Sequence, residues 1–327
     1  MIPLRILIID GFNLFYANYH ANTRQSQNGE PIGGFIGFLH QLRNIVYKFS
    51  PQQIIIVFDG PNAGYRRKLI FKEYKGKRAK KIRYARVGVG ESKEEQIQIN
   101  NEQEQLKKLI EFLKQLPIKI AIIPNFEADD VIAHIVIHNT EYENLIVSSD
   151  KDFLQLLDNN IFVYQPFKKI LINKETIKEI YNIPKENFLF YRTICGDESD
   201  AFKGIPGINK KSLLKIFPEI KKTSFKSFEQ FWDAIKNIQD DSKTAIKLKK
   251  GYENSLMTYK LMQLGTTLNL KAIESLQLQL KEQEEKTYSK LNLKIYCVRQ
   301  GLNFEIQNFE TWISPFNFLN NKLTLRV

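Results

Sequence analysis

Cysteine is nearly absent. Cys195 and Cys297 stand far apart in a chain of 327 residues, so they outline neither a disulfide framework nor a thiolate metal site. Two isolated thiols fit a reducing compartment. Histidine is also scarce, and His20, His40, His134 and His138 show no ligand spacing with the acids. His134 and His138 lie four apart, but Ile135 rather than glutamate follows the first, which excludes a zincin arrangement. Long apolar runs are missing: none approaches the roughly 20 residues that a bilayer helix needs. The N-terminal run through Ile9 is too short for a signal peptide and ends in Asp10. A soluble, intracellular protein of the cytoplasm, with no membrane partner, is expected. There is no internal repeat.

Positive charge is plentiful. Lys and Arg number 48 against 36 Asp and Glu, a net charge of +12, with a pI near 9.4. Such an excess attracts polyanions, of which nucleic acid is the commonest. Basic proteins that bind no nucleic acid also exist, so charge alone leaves the partner open. The length suggests one large catalytic domain with a smaller one appended, enough to bury a core without staples.

Short apolar runs rich in β-branched residues predict buried parallel strands at Leu4–Ile9, Ile54–Phe58, Ile118–Ile123 and Leu145–Val147. Between them, helical periodicity covers Gly34–Phe49, about Glu95–Gln115 and Asp129–His138, with a short helix at Asp152–Leu157. Strand–helix alternation of this kind predicts an α/β fold, a doubly wound, mainly parallel sheet. Ile161–Tyr164 and Ile170–Ile172 have hairpin spacing, and from Lys174 to about Lys290 the chain reads mainly helical. The Gln/Glu/Lys-rich segments Glu91–Lys108 and Gln277–Lys286 read as solvated helix faces.

The acids matter by position rather than number. Asp10 ends the first strand, Asp59 the second, and Asp150 follows the fourth; Glu127, Asp129 and Asp130 follow the third and open a helix. Ligands of open parallel sheets bind beyond the carboxyl ends of the strands, so these acids converge on one rim. Asp152 lies two residues beyond Asp150, and Asp197 and Asp200 come later. One Asp at a strand end is most often a turn or cap residue. Four acidic strand ends are a different matter, because crowded carboxylates destabilise one another unless cations neutralise them. An all-oxygen donor set suits two Mg²⁺ or Mn²⁺ ions, not zinc. Two such ions can activate water and stabilise the leaving oxygen of a phosphodiester.

The blocks carrying these residues resemble those of the 5′ nuclease superfamily, which includes flap endonucleases, 5′–3′ exonucleases, phage enzymes of the ribonuclease H type and the 5′-nuclease domain of bacterial DNA polymerase I. In family order they are Ile9-Asp10-Gly11-Phe12-Asn13, Val57-Phe58-Asp59-Gly60, and Tyr74-Lys75-Gly76-Lys77-Arg78. Then come Glu127-Ala128-Asp129-Asp130 with Ser149-Asp150-Lys151-Asp152, and Gly196-Asp197-Glu198-Ser199-Asp200 with Gly204-Ile205-Pro206-Gly207-Ile208-Asn209-Lys210-Lys211. The likeness covers about residues 4–265, and the blocks are specific together though weak singly. It implies a PIN-like catalytic domain over 1–182 with a basic arch at about 65–100. A helical domain at 183–290 would carry a helix–three-turn–helix clamp, and 291–327 would form a C-terminal extension. By resemblance Asp10, Asp59, Glu127, Asp129, Asp150 and Asp152 serve the first metal site or share it. Asp130, Asp197 and Asp200 form the second-site and water-mediated group. Lys75 and Arg78 match residues that reach the scissile phosphate.

The run Arg66–Arg86 is densely basic with Tyr65, Phe71, Tyr74 and Tyr84 interleaved, a composition that suits single-stranded nucleic acid. Its candidate contacts are Tyr74, Lys75, Lys77, Arg78, Lys80, Lys81 and Arg83. At the clamp they are Gly204, Gly207, Asn209, Lys210, Lys211 and Ser212, where the resemblance also implies a potassium ion on the duplex backbone. Departures exist: Ala17 stands where many relatives carry Arg, Ala201 where Asn is common, and Ser212 where Thr is frequent. Asn209 replaces the second turn glycine, a position expected to need tolerance of the left-handed conformation.

The function implied is divalent-metal-dependent hydrolysis near a 5′ end, removing RNA primers or flaps in replication or repair. Substrates would be DNA with a 5′ flap, overhang or nick, and RNA–DNA hybrid. A stand-alone monomer is expected. The alternatives are a PIN-type ribonuclease, which would lack the second Asp pair joined to a glycine clamp, and a non-catalytic binder of branched DNA, which would not need every acid. The aromatic stretch Trp312–Phe318 either docks a replication protein or packs back on the body.

Overall fold

The computed structural model describes residues 4–25, 29–72, 74, 93–196, 204–265, 268–284, 288–300, 302, 308–319 and 325–326, excepting the side chains of 93–97. Six strands form one sheet: β1 Arg5–Asp10, β2 Gln53–Asp59, β3 Lys119–Ile123, β4 Glu143–Val147, β5 Ile161–Gln165 and β6 Ile170–Ile172. Their order is β3-β2-β1-β4-β5-β6. All pairs are parallel except β5–β6, the hairpin at one edge. The apolar runs predicted these strands because a strand covered on both faces has no polar alternation to show. β1 lies between β2 and β4, so the winding reverses there, and the rim beyond its carboxyl end is a switch point.

The two faces of the sheet build two cores. Leu7, Ile9, Ile54, Ile56 and Phe58 pack against α1 (Gly11–Ala21), α2 (Gly33–Phe49) and the helix Lys93–Leu113. Their neighbours in strand order, Ile6, Ile8, Ile55 and Val57, pack with Val131 and Ile135 of the helix Ala128–His138. That second core runs on without a break through Phe188, Phe217, Trp232 and Leu276 of the helical region. The chain boundary expected at 182/183 is therefore spanned by shared apolar packing.

The C-terminal aromatic stretch packs on the body. Trp312, Ile313 and Phe316 are buried in the first core, whereas Phe318 is exposed. Burial of each such side chain is worth about 1.5–3 kcal/mol.

One helix expected from composition to be solvated exposes Gln277, Lys281 and Glu282 but turns two side chains inward. On the helix Leu270–Glu284, Gln279 and Gln283 turn their carboxamides onto the free edge of β3. Gln279 accepts from Ile122 N–H and donates to its carbonyl, both at 2.9 Å. Gln283 does the same for Ile120, at 2.9 and 2.8 Å. Residues four apart on a helix rise about 6 Å, close to the roughly 6.6 Å between alternate strand residues. A glutamine ladder can therefore stand in for a missing strand. It satisfies an edge that would otherwise pair with another chain.

Candidate metal centre and nucleic-acid interface

Asp10 is both the last residue of β1 and the N-cap of α1, where its Oδ1 accepts from Asn13 N–H at 3.1 Å. Its Oδ2 accepts from the Ser148 hydroxyl at 3.1 Å, just beyond β4. Ser148 Oγ in turn accepts from Asp150 N–H at 3.1 Å, and Asn13 Oδ1 accepts from Ser149 N–H at 2.9 Å. Hydrogen bonds thus hold the ends of β1 and β4 together with Asp10 and Asp150 on the same rim. Asp59, ending β2, accepts at 2.8 Å from the N–H of Ala128, the first residue of its helix. A helix start has unpaired amides and a partial positive charge, so an aspartate fits there. Gly60 permits this closeness, because a Cβ would lie 1.8 Å from Ile123 O.

Burial and the like charges of Asp59 and Asp150 push Asp10 up to about 7, against hydrogen bonds from Asn13 and Ser148 that pull it down. Glu127, Asp129 and Asp130 bring carboxylate oxygens within 4.8 Å of one another, a group of three potential metal-binding side chains. Glu127 and Asp130 are buried. Burial also pushes Asp130 up, to about 6, with Asp129 adding to the rise and Arg67 and Arg66 opposing it. The expected acids of four strand ends are thereby gathered on one rim. The donor set is entirely oxygen and its members repel one another, which fits a hard divalent cation.

Two arginines had no assigned role in the sequence. Arg67, on the short helix Tyr65–Ile70, is only 3 % exposed. Its Nη1 contacts Glu127 Oε2 and reaches Asp130 Oδ2 at 3.0 Å, while Nη2 stands 3.2 Å from Asp129 Oδ2. Burial opposes its charge, but Asp129, Tyr74, Asp130 and Glu127 outweigh that and raise it further. Arg192, on the helix Phe188–Cys195, donates from Nε and Nη2 to Asp152 Oδ1 at 3.2 and 2.9 Å. A third unassigned feature is readable at four-residue spacing: Phe12, Tyr16 and His20 stack along α1, with centroids 5.7 and 6.3 Å apart, starting two residues after Asp10.

Tyr74, expected to meet a base, is 2 % exposed and donates its hydroxyl to Glu127 Oε2 at 2.9 Å. Its ring lies against Arg67 instead of open space. The candidates Lys75, Lys77, Arg78, Lys80, Lys81, Arg83, Asp197 and Asp200 lie outside the described residues. At the clamp, Gly204 and Gly207 both have positive φ, 56° and 83°. Asn209 does not: at φ −113° it is an extended N-cap whose side chain accepts from Ser212 N–H, and Ser212 Oγ accepts from Asn209 N–H. The expected left-handed tolerance is replaced by a capping box. Lys210 is turned back over the Tyr181 ring and donates to Ile180 O at 3.3 Å, while Lys211 is exposed. Lys247 Nζ sits 3.6 Å from where a Cβ on Gly207 would be. His134 and His138, further along the helix that Asp129 and Asp130 open, set their rings 4.1 Å apart and tilted by 34°, and burial with the charge of His138 pushes His134 down to about 4.

The family model for the 5′-3′ exonuclease, N-terminal resolvase-like domain, matches residues 5–182. The 5′-3′ exonuclease of Buchnera aphidicola subsp. Acyrthosiphon pisum (strain APS) is 32% identical over 265 residues, 78% of this chain and 85% of that protein. Among solved structures, the bacteriophage T5 5′-exonuclease with divalent zinc bound aligns at TM-score 0.69 and 22% identity, covering 86% of this chain and 98% of that one. A bacteriophage T5 flap endonuclease, in a pseudo-enzyme-product complex with DNA and metal ions, aligns at TM-score 0.66 and 22% identity, covering 85% and 96%.

Proposed function

We propose, from the premise that this chain belongs to the 5′-3′ exonuclease family, that it is a structure-specific 5′ nuclease trimming 5′ ends and cutting 5′ flaps. RNA primers and displaced 5′ strands are its substrates in replication or repair. The observation that supports this most directly is Asp10, half-buried at a switch point beside the like charges of Asp59 and Asp150 and pushed up to about 7. Such a group calls for a cation.

Asp10, Asp59, Glu127, Asp129, Asp150 and Asp152 would hold or share the first ion. Asp130, Asp197 and Asp200 would serve the second. When bound, two Mg²⁺ or Mn²⁺ ions supply a nucleophilic water near neutral pH and charge stabilisation for the leaving oxygen. The chain itself orients the ligands: Ser148 and Asn13 aim Asp10, the Ala128 amide aims Asp59, and Arg192 aims Asp152. Lys75 and Arg78 would add positive charge at the scissile phosphate, which counts most where charge develops. Lys77, Lys80, Lys81 and Arg83 would guide the single strand electrostatically. The Phe12–Tyr16–His20 stack offers a face for a base entering beside Asp10. Gly204, Gly207, Asn209, Lys211 and Ser212 would receive the duplex backbone, with a potassium ion shared at the turn.

Cleavage of a labelled 5′-flap duplex in Mg²⁺ and in EDTA tests this reading. Mg²⁺-dependent release of the flap is expected, with Asp59→Ala abolishing release but still binding the substrate. Undiminished turnover in EDTA, or in Asp59→Ala, refutes it.

A further inference from the structure

Arg67 differs from its neighbour in the same basic run. Arg66 is 31% exposed at its side chain and stands 3.5 Å from Asp130; Arg67 is buried, and its whole guanidinium is engaged. Nη1 faces Glu127 Oε2, Asp129 Oδ1 at 3.3 Å and Asp130 Oδ2 at 3.0 Å; Nη2 donates to Asp130 Oδ1 at 3.1 Å. Nε donates to Leu261 O at 3.0 Å. Each acid of the 4.8 Å cluster therefore turns at least one oxygen onto this one side chain, and Asp129 and Asp130 each turn both. A carboxylate oxygen occupied by an N–H has fewer lone pairs to offer a metal. A divalent ion among these oxygens would also stand beside a fixed positive charge at short range.

We infer that Arg67 is a positioning residue, an internal counter-ion that holds Glu127, Asp129 and Asp130 together in the ion-free protein and is displaced when an ion enters that cluster. This rests on the metal-dependent reading of the rim. It assigns the arginine a cost as well as a benefit: the ligand set is preassembled, and the entering ion must compete for it. The contact with Leu261 extends the consequence. Leu261 lies near the end of the helix Tyr252–Met262, and near its start Asn254 donates to Gly204 O of the clamp turn at 2.7 Å. Release of Arg67 frees the Leu261 carbonyl and so links ion occupancy to the helix that touches the clamp. Coupling of this kind is reciprocal, so duplex seated on the clamp would in turn bias the cluster.

The test is a Mn²⁺ titration of the full chain at pH 8, followed by the electron paramagnetic resonance of the free ion, with thermal unfolding in EDTA measured beside it. Arg67→Gln should lower the ion-free Tm and yet tighten one Mn²⁺ site about tenfold. Arg67→Lys, which keeps the charge but loses the fork, should tighten it less. The gain should vanish when Arg67→Gln is combined with Glu127→Gln, since both act on one cluster. A lower Tm with unchanged or weaker Mn²⁺ binding in Arg67→Gln makes the arginine merely structural and overturns the inference. If Arg67→Gln does not fold, Arg67→Lys decides: unchanged or weaker binding overturns it. A wild-type chain that cleaves a flap in EDTA and binds no Mn²⁺ removes the metal-dependent reading itself. One that binds Mn²⁺, with neither variant tightening, removes only the role given to Arg67.

Discussion

Asp10 and Asp152 are acids of the same rim, held in opposite ways. Asp10 receives a backbone N–H and a hydroxyl, and faces the like charges of Asp59 and Asp150, so its proton is retained to about 7. Asp152 is met by the buried guanidinium of Arg192. The Glu127–Asp130 cluster follows the Asp152 pattern, with Arg67 as its cation. One side of the rim is thus partly neutralised by the chain's own arginines, whereas Asp10 is held by neutral donors among like charges. Under the proposed function such a centre would not be uniformly poised: folding without ions would draw on the arginines at the flanks, and the carboxylate most in want of a cation would be Asp10, where β1 ends.

Substitutions on the two sides should separate these roles. The largest effect expected is on cleavage: Asp10→Asn should slow flap cutting in Mg²⁺ by roughly 10³-fold, a loss of about 4 kcal/mol of transition-state stabilisation. Single-turnover rates measure it, and a loss below about tenfold would remove Asp10 from the ion-binding set. Next, Asp152→Ala should destabilise the ion-free fold by about 3 kcal/mol, because it removes the carboxylate oxygen that accepts two N–H groups of the buried Arg192 guanidinium. Urea unfolding in EDTA reads this; a neutral result would mean Arg192 finds another partner at once.

Asp10→Asn should act in the reverse direction on ion-free stability. A folded pKa raised from 3.8 to about 7 means that the fold prefers the protonated acid. Its contribution is fully present below about pH 4 and is lost as pH rises through about 7. Above that range the wild-type chain carries a penalty on the order of a few kcal/mol that asparagine avoids. Unfolding in EDTA between pH 5 and 8 should therefore show Asp10→Asn gaining on the wild type as pH rises, and added Mg²⁺ should close the gap. Parallel pH profiles would contradict the contrast drawn between the two sides. Smallest is Tyr74→Phe, which removes one hydrogen bond to Glu127. About 1 kcal/mol of stability should go, with DNA affinity unchanged if the ring stays buried. A clear loss of single-strand binding in a gel-shift assay would restore Tyr74 as a base contact.

The rim itself could be read from the chain because strand ends are local events. An apolar β-branched run stops, and an acid follows: Asp10, Asp59, Glu127 and Asp150 each obey that pattern. Arg67 could not be singled out, since within Arg66-Arg67-Lys68 nothing local distinguishes the buried guanidinium from exposed neighbours. The inward turn of Gln279 and Gln283 is illegible in the sequence for the same reason. A polar helix face looks solvated until a strand edge of matching spacing lies opposite it. The basic surroundings of Tyr74 point to substrate, although a phenol is equally suited to a buried carboxylate. The Phe12–Tyr16–His20 stack, by contrast, is legible in the sequence from its four-residue spacing.

The order of strands and helices, the convergence of acids at their carboxyl ends and the oxygen-only character of that donor set followed from the amino-acid sequence alone. Each depends on short-range rules: periodicity, side-chain type and the topology of parallel sheets. Only the tertiary structure decided which cation faces which acid, which edge is capped by glutamine and which tyrosine is buried. Those pairings join residues as distant as Arg67 with Leu261 and Ile120 with Gln283. Their energies come from desolvation and geometry, which exist only once the chain has closed around them.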